Sequence, residues 1–452
     1  MITIIFLAYV AILIVISVVA KVTTLKRFIV GDKILSTKML VPSIVTTFYG
    51  STAIFGGVSL TYQTGLGVIW FMVPFYLGNI ALIAFLLRRI ASSEKYTLPD
   101  FLGGFYDKKL VQASSIILAI QVLFPEVIIA GGKLLSVFMP IPLWIAMVIV
   151  ALVMIAYVAI GGIQAIIRTD VVQFALMLFI LAIMVPFIFN MPSFNTPSDV
   201  ISGITKEYFN PFSYISIQEI ARWFILLFFL PITAAPLYQR FFVSKSETCS
   251  KKSIIYAVMI WMAIDSVVIL LGFTALQLFP NLTDPDMAYI MLGGAILPKA
   301  LSGIFFIALL SMVMSTADSF LQSGAASLTY DVYRYFKPKS TEKQLIMASR
   351  MFTIILGLLS LILALYIKMI IPALVFTLTI WIAAILVPTL IVLTGRKIRN
   401  DTAFCSLIGG ALSALIWKIT QPFNIDALFI GLGFSISIII ISEKFLKAWH
   451  RG

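Results

Sequence analysis

Apolar residues run in blocks of roughly twenty along the whole chain, separated by short polar or basic breaks. Blocks of that length fit an α-helix crossing the ~30 Å hydrocarbon core of a bilayer. We read about thirteen of them, at approximately 2–20, 40–62, 66–88, 110–138, 141–160, 170–190, 218–240, 254–279, 300–328, 346–367, 369–393, 403–420 and 425–442. No polar stretch is long enough for a soluble domain. The pattern therefore predicts an all-α polytopic membrane protein, with residues 1–452 forming a single membrane domain.

The polar positions inside the blocks carry the information about function. In IALLSMVMSTADSFLQS, residues 307–323, Ser311, Ser315, Ser319 and Ser323 recur every fourth residue and share one helix face. Asp318 and Gln322 widen that face, and Thr316 lies about 100° round from Ser315. An aspartate at the centre of a membrane helix costs roughly 2.5–3.5 kcal/mol on insertion scales. The stripe must therefore face protein, water or an ion.

Two other blocks are interrupted. The second holds Gly50, Gly56 and Gly57, with Gly65 just beyond, and the seventh holds Pro231 and Pro236. Taken singly, each reads as tight helix packing. They stand five spans apart, so they enter the membrane from opposite sides. Broken helices at matching places in two inverted halves point to a transporter's midplane site. The halves are expected at 40–190 and 218–393. One helix and its loop (1–39) precede them, and two helices (394–452) follow.

The sixth block opens GGIQAIIRTDVVQ, with Asp170 and Gln173 on one face. Asp170 reads either as a functional carboxylate or, with Thr169, as the cap of a helix start. Glu126 and Lys133 lie seven residues apart on one face of the fourth block, and Asp265 sits in the eighth. Such groups contact solute, pair with another helix or line an aqueous path. Glu126, with the aromatics Phe229 and Trp381, is a candidate solute contact, although each aromatic reads more readily as bundle packing.

Composition sharpens this picture. Of 452 residues 61% are hydrophobic, and the mean hydropathy is +1.09, which excludes a soluble protein. The net charge of +13 comes from placement: 26 of the 32 Lys and Arg fall on one set of span ends and loops. The remaining six are Lys133, Lys206, Arg222, Lys299, Lys368 and Lys418. By the positive-inside rule that set is cytoplasmic, with the N-terminus outside and the C-terminus inside. No nucleic-acid partner is needed to explain the charge. Two cysteines give no disulfide framework or metal spacing, and the one histidine is His450. Histidine-based catalysis and histidine-ligated metals in the core are thereby excluded, and no enzyme activity is expected. The first block has no basic segment before it and is expected to be retained as a helix.

Five segments, in order, resemble the sodium:solute symporter family, which contains proline, pantothenate, sugar and sialic-acid symporters. They are STAIFGGVSLTYQTGLG (Ser51–Gly67), TLPDFLGGFYD (Thr97–Asp107), GGIQAIIRTDVVQ (Gly161–Gln173), PLYQRFFVSKS (Pro236–Ser246) and MSTADS (Met314–Ser319). The resemblance implies a LeuT-type five-plus-five inverted repeat with one extra N-terminal and two extra C-terminal helices. It implies a sodium site formed by the carbonyls of Ser51, Ile54 and Met312 and the hydroxyls of Ser315 and Thr316. Asp170, Asp318 and Ser319 match positions that support this site or form a second one. Proline-type members carry an aspartate where this chain has Ala53. The expected function is sodium-coupled import of a small organic solute (an amino acid, vitamin, monocarboxylate or sugar) by a monomeric unit in the cytoplasmic membrane. The alternatives are the same fold coupled to protons, with Asp170, Glu126 or Asp318 as carrier, and a membrane-embedded solute sensor.

Overall fold

In hydrocarbon every backbone polar group must be satisfied internally, which favours helices. A computed structural model describes residues 2–20, 24–29, 35–91, 93, 95–194, 196–396 and 398–449. Lys21, Lys33, Lys397, His450 and Arg451 lie outside that set. Among the described residues there is no strand, only an isolated bridge between Leu35 and Ser244. The principal helices are α1 (Ile2–Val19), α2 (Thr37–Phe48), α3 (Ser51–Thr64), α4 (Ile69–Ala81), α5 (Lys108–Gln121), α6 (Pro125–Phe138), α7 (Leu143–Phe189) and α8 (Ile217–Thr233). They continue as α9 (Ala235–Val243), α10 (Glu247–Leu278), α11 (Ser302–Ser327), α12 (Glu342–Ile367), α13 (Ile370–Leu393), α14 (Asn400–Thr420) and α15 (Ala427–Trp449).

Among the described residues, ten helical stretches are long and apolar enough to cross a membrane, and Ala427–Glu443 is a shorter apolar helix. The difference from thirteen arises where helices run together. Ser51–Ala91 is one helical stretch of 41 residues, and Leu143–Phe189 is another of 47. The latter is broken in the backbone at Gly162, with φ 65° and ψ −176°. Only glycine adopts that conformation without strain, and a Cβ there would meet Phe28. Gly162, the second glycine of the GGIQA segment, thus marks a kink between two helices.

Both interrupted spans break where non-helical residues stand. Between α2 and α3 lie Tyr49 (ψ 51°) and Gly50 (ψ −137°). Between α8 and α9 lies Ala234 (ψ 107°), flanked by Pro231 and Pro236. The fourth span, read as continuous in the sequence, is also broken, at 122–124, with Phe124 in the left-handed region. Gly56 and Gly57 pack against Ile371 and Val268, so the packing reading holds for them.

The helix α11 is the centre of the bundle: every residue from Ala308 to Ser327 is buried. Its polar stripe is therefore fully enclosed by protein. Loops join at two ends. At one end Leu25 N–H donates to Glu342, Thr97 to Asp331 and Tyr106 to the Pro388 carbonyl. At the other Trp70 donates to the Pro211 carbonyl, Tyr62 to Phe279 and Arg222 to Asp426. The first end carries most of the basic residues and is called the basic end below.

Candidate functional site

The site begins at the break of the second span. The last four carbonyls of a helix lack intrahelical partners and carry partial negative charge. At the end of α2 the Thr46 carbonyl accepts from Ser315 Oγ at 3.2 Å and from Thr316 Oγ1 at 3.3 Å. Ser315 Oγ also lies 3.1 Å from the Met312 carbonyl. Two hydroxyls and two carbonyls thus converge between a helix end and the buried stripe of α11. Met312, Ser315 and Thr316 were read from the sequence, and Thr46 was not. The signal was available: Thr46 stands four residues before Gly50, the residue that ends the helix.

The free backbone lies slightly upstream of where it was expected. Ser51 and Ile54 fall in the first turn of α3, beside the break, and the Ile54 N–H bonds the Gly50 carbonyl at 3.3 Å. The reason is that the chain leaves helical geometry at Tyr49 and Gly50 and resumes it at Ser51. The approach of α11 is close enough to require glycine: a Cβ on Gly50 would overlap Thr316 Oγ1 and the Met312 carbonyl. Gly50→Ala is expected to cost about 1–3 kcal/mol through overpacking and to remove any stabilisation by sodium. Thermal unfolding in sodium against potassium checks both.

A second polar cluster lies about one turn further along the stripe. Asp170 Oδ2 accepts from Ser43 Oγ at 2.6 Å and lies 3.5 Å from Arg240. Arg240 also donates to Ser43 Oγ (3.2 Å), to Ser319 Oγ (2.5 Å) and to the Pro236 carbonyl (3.3 Å). Ser319 Oγ is 3.1 Å from Thr47 Oγ1 and donates to Asp318 Oδ1 at 3.2 Å. One oxygen of each carboxylate, Asp170 Oδ1 and Asp318 Oδ2, has no hydrogen-bond partner.

Two sequence readings change here. Asp170 is not a helix cap, because the helix resumes at Gly162 and Asp170 lies inside it, fully buried. Arg240 was counted with the cytoplasmic basic loops, yet it sits within α9 and is 1% exposed. The break at Ala234 turns α9 inward, so the arginine of the QRFF segment meets carboxylates instead of solvent.

Beside these clusters is a small, mostly apolar cavity of about 50 Å³. Its wall includes Tyr49, Thr52, Ala53, Phe75, Phe124 and Phe320. Phe124 stacks on Phe320 with centroids 3.7 Å apart. Tyr49 is held from behind: its hydroxyl donates to Asp265 at 2.5 Å, Tyr76 donates to the same carboxylate, and Trp261 stacks on its ring. Asp265 therefore positions a cavity wall. The N-terminus of α3, uncapped by any side chain, also opens on this cavity through Thr52 and Ala53.

Of the candidate solute contacts, Phe229, Trp381 and Glu126 are all absent from this wall. The wall takes Leu227 and Leu230 from α8 and Leu374 from α13. Phe229 is a helix step off the Leu227–Leu230 face. Trp381 is wholly buried, and its indole N–H donates to the Thr233 carbonyl at 3.2 Å, beside the Ala234 break. Its role is to satisfy a freed carbonyl of the broken seventh span.

Residues 28–410 match the sodium:solute symporter family. The chain belongs to this family. A sodium/proline symporter from Staphylococcus aureus is 25% identical over 418 residues, covering 85% of this chain and 81% of the relative. A second, from the JH9 strain, is 26% identical over the same length. Among solved structures, a Na⁺-coupled sialic acid symporter in a substrate-bound outward-open state superposes with a TM-score of 0.80 at 17% identity, covering 97% of this chain and 96% of that one. A nucleobase-cation-symport-1 family transporter in a closed conformation reaches 0.58 at 13% identity, covering 93% and 95%. At these identities the superpositions establish the fold alone. The symporter is accordingly a multi-pass membrane protein and a secondary transporter, not an enzyme.

At the end of the symporter opposite the basic loops stands a third polar cluster. Lys133, 3% exposed, pairs with Asp284 at 2.6 Å and with Asp286 at 2.8 Å. Asp286 also accepts from Ser59 Oγ at 3.1 Å and from the Ile370 N–H at 3.0 Å. One loop carboxylate therefore ties together α3, α6 and the start of α13. Lys133 was seen in the sequence as an unexplained charge, and its partners lie more than 150 residues away.

Proposed function

We propose that this symporter imports a small organic solute by alternating access, driven by sodium. The observation that carries the reading is the convergence of the Thr46 and Met312 carbonyls with the Ser315 and Thr316 hydroxyls at a helix break. A sodium ion wants several oxygens of low charge, which freed carbonyls and hydroxyls supply in a membrane. The family pattern assigns further ligands to the carbonyls of Ser51 and Ile54, in the turn beside Gly50. Asp170, Asp318 and Ser319 support this site or form a second one, with the free oxygens of the two carboxylates as its donors.

In this reading the two paired broken spans belong to inverted halves, 40–190 and 218–393, within thirteen crossings. The basic end faces the cytoplasm, and the N-terminus is outside. One chain is the functional unit. Sodium ties the end of α2 to α11 and so stabilises the arrangement that accepts solute. Coupling requires that sodium bind that arrangement more tightly than the other. An inward potential of 100 mV contributes about 2.3 kcal/mol per sodium. Opening at the basic end separates Thr46 and Gly50 from Ser315 and Thr316. Sodium then leaves, and the solute follows.

The test is thermal unfolding of the purified protein in sodium against equal potassium, for wild type and for a Ser315→Ala/Thr316→Ala double variant. A ligand bound only by the folded state at about ten times its Kd stabilises by roughly 1.4 kcal/mol. Sodium is expected to stabilise the wild type, and the double variant is expected to lose that response. Equal behaviour of the wild type in the two salts would remove the sodium reading.

A further inference from the structure

The TLPDFLGGFYD segment contributes nothing to the sodium site, yet its first residue is fixed on both sides. Thr97 is buried and caps a short helix, Leu98–Leu102, where its Oγ1 accepts from the Asp100 N–H at 3.0 Å. Asp100 in turn accepts from the Tyr96 N–H at 3.1 Å and from Lys95 at 3.2 Å. A hydroxyl can accept and donate at once. The proton of Thr97 goes to Asp331 Oδ2, 2.8 Å away. Asp331 lies in the turn Leu328–Tyr333 that continues α11, and it extends the four-residue interval of the serine stripe to the basic end. The same oxygen accepts from Ser327 Oγ at 2.7 Å and from Ser115 Oγ of α5 at 3.1 Å. None of these partners is a cation.

The rest of the segment is seated against other helices. Leu98 and Leu102 are wholly buried. The ring of Phe101 lies 5.8 Å from that of Tyr238 in α9, two residues before Arg240. Tyr106 donates to the Pro388 carbonyl of α13 at 3.0 Å. Residues 97–106 therefore bridge α9, α11 and α13 at the basic end.

The opposite end has a counterpart. Within the inverted halves proposed above, α4 corresponds to α10, and the α5–α6 span to α11. The loop with Thr97 then matches the loop with Asp286. Lys133 stands near the end of the α5–α6 span, and Asp331 near the end of the α11 span. Each loop is thus tied to the far end of the third span of the other half, Asp286 to Lys133 at 2.8 Å and Thr97 to Asp331 at 2.8 Å. The match extends to α3 and α9, which set Ser59 against Asp286 and Tyr238 against Phe101. The two ties differ in chemistry. The first is ionic. The second joins a carboxylate to hydroxyls, so it parts without stranding a buried cation, and water can replace the bonds it loses.

We propose that the Thr97–Asp331 bond is the latch of the basic end, with residues 95–106 as the part that lifts. It opens while the Lys133–Asp286 tie is closed. This assignment rests on the alternating-access reading and names the device that gates its basic side.

The test uses Ala53→Cys as reporter, with Cys249 and Cys405 replaced by serine, since Ala53 lines the cavity. Full-length protein in membrane vesicles of known orientation is treated with a membrane-impermeant thiol reagent. Each face is treated separately, in sodium and in potassium. Thr97→Val is expected to be labelled about tenfold faster than its parent from the basic face, through loss of a hydrogen bond to a charged group. From the opposite face it is expected to be labelled more slowly. Thr97→Ser keeps the hydroxyl and is expected to restore the parent rates. Asp331→Asn removes the charge, leaves the Thr97 cap intact, and is expected to shift both rates in the same directions as Thr97→Val. Opposite shifts at the two faces mark a gate, whereas a merely loosened fold speeds both. Unchanged rates in a folded Thr97→Val protein, equal acceleration from both faces, or failure of Thr97→Ser to restore the rates would each overturn the proposal. Rates that shift with Thr97→Val but ignore sodium would support the latch and remove the sodium reading, so the two fail separately.

Discussion

Arg240→Ala is expected to destabilise the folded bundle by about 3–5 kcal/mol, the cost of removing one partner from a buried ion pair. The wild-type guanidinium is 1% exposed and engages four groups: Asp170, Ser43 Oγ, Ser319 Oγ and the Pro236 carbonyl. Alanine leaves Asp170 with Ser43 alone and removes the donor that holds Ser319 toward Asp318. Two carboxylates then share a dry space with no cation. Arg240→Lys keeps the charge but loses the planar fork that reaches four acceptors, so an intermediate loss is expected. The double variant Arg240→Met/Asp170→Asn removes both charges and should recover much of the stability. The measurement is thermal unfolding in detergent for the full double-mutant cycle. Additive losses from the two single changes would show that the pair is not coupled.

Lys133→Met is expected to loosen the end of the bundle opposite the basic loops. Asp286 is 4% exposed, and Lys133 is its only cationic partner among the described contacts. Removing one member of such a pair costs about 3–5 kcal/mol. The contribution of Asp284 is smaller, because its side chain is 40% exposed and screened by water. The folded protein has a way to relieve the cost: the loop carrying Asp286 can withdraw from Ser59 and Ile370 into solvent. The consequence is easier access to the cavity. Ala53→Cys, in a background with Cys249 and Cys405 replaced by serine, reports on this, since Ala53 lines the cavity. A membrane-impermeant thiol reagent applied from that side is expected to label the Lys133→Met variant about tenfold faster, equivalent to a shift of 1.4 kcal/mol. An unchanged rate in a folded variant would show that the ion pair does not control entry.

Much of the architecture was legible in the chain because a bilayer is a simple solvent. Its thickness sets helix length, and its dryness forces polar residues inside spans to be explained. The serine stripe from Ser311 to Ser323 repeats every fourth residue, so one face and its burial followed from helix geometry. The breaks near Gly50 and between Pro231 and Pro236 were legible because glycine and proline fail in helices for local reasons. The break at 122–124 was missed because Phe124 adopts a left-handed conformation that nothing in its side chain announces. Pro125, at the first position of α6, was the available hint, since proline favours a helix start.

What the sequence by itself determined was the membrane class, the family, and the helix with the polar stripe that carries Ser315 and Thr316. These depend on composition, periodicity and local motifs. Only the tertiary structure decided the partners. It set Thr46 rather than a residue after the break against the hydroxyls, drew Arg240 from an apparent loop into a buried pair with Asp170, and joined Lys133 to Asp286. It also left Trp381 outside the cavity and Glu126 with no partner at all. The physical reason is that these pairings span 70 to 270 residues of chain. They are fixed by how helices cross, which no local pattern of residues encodes.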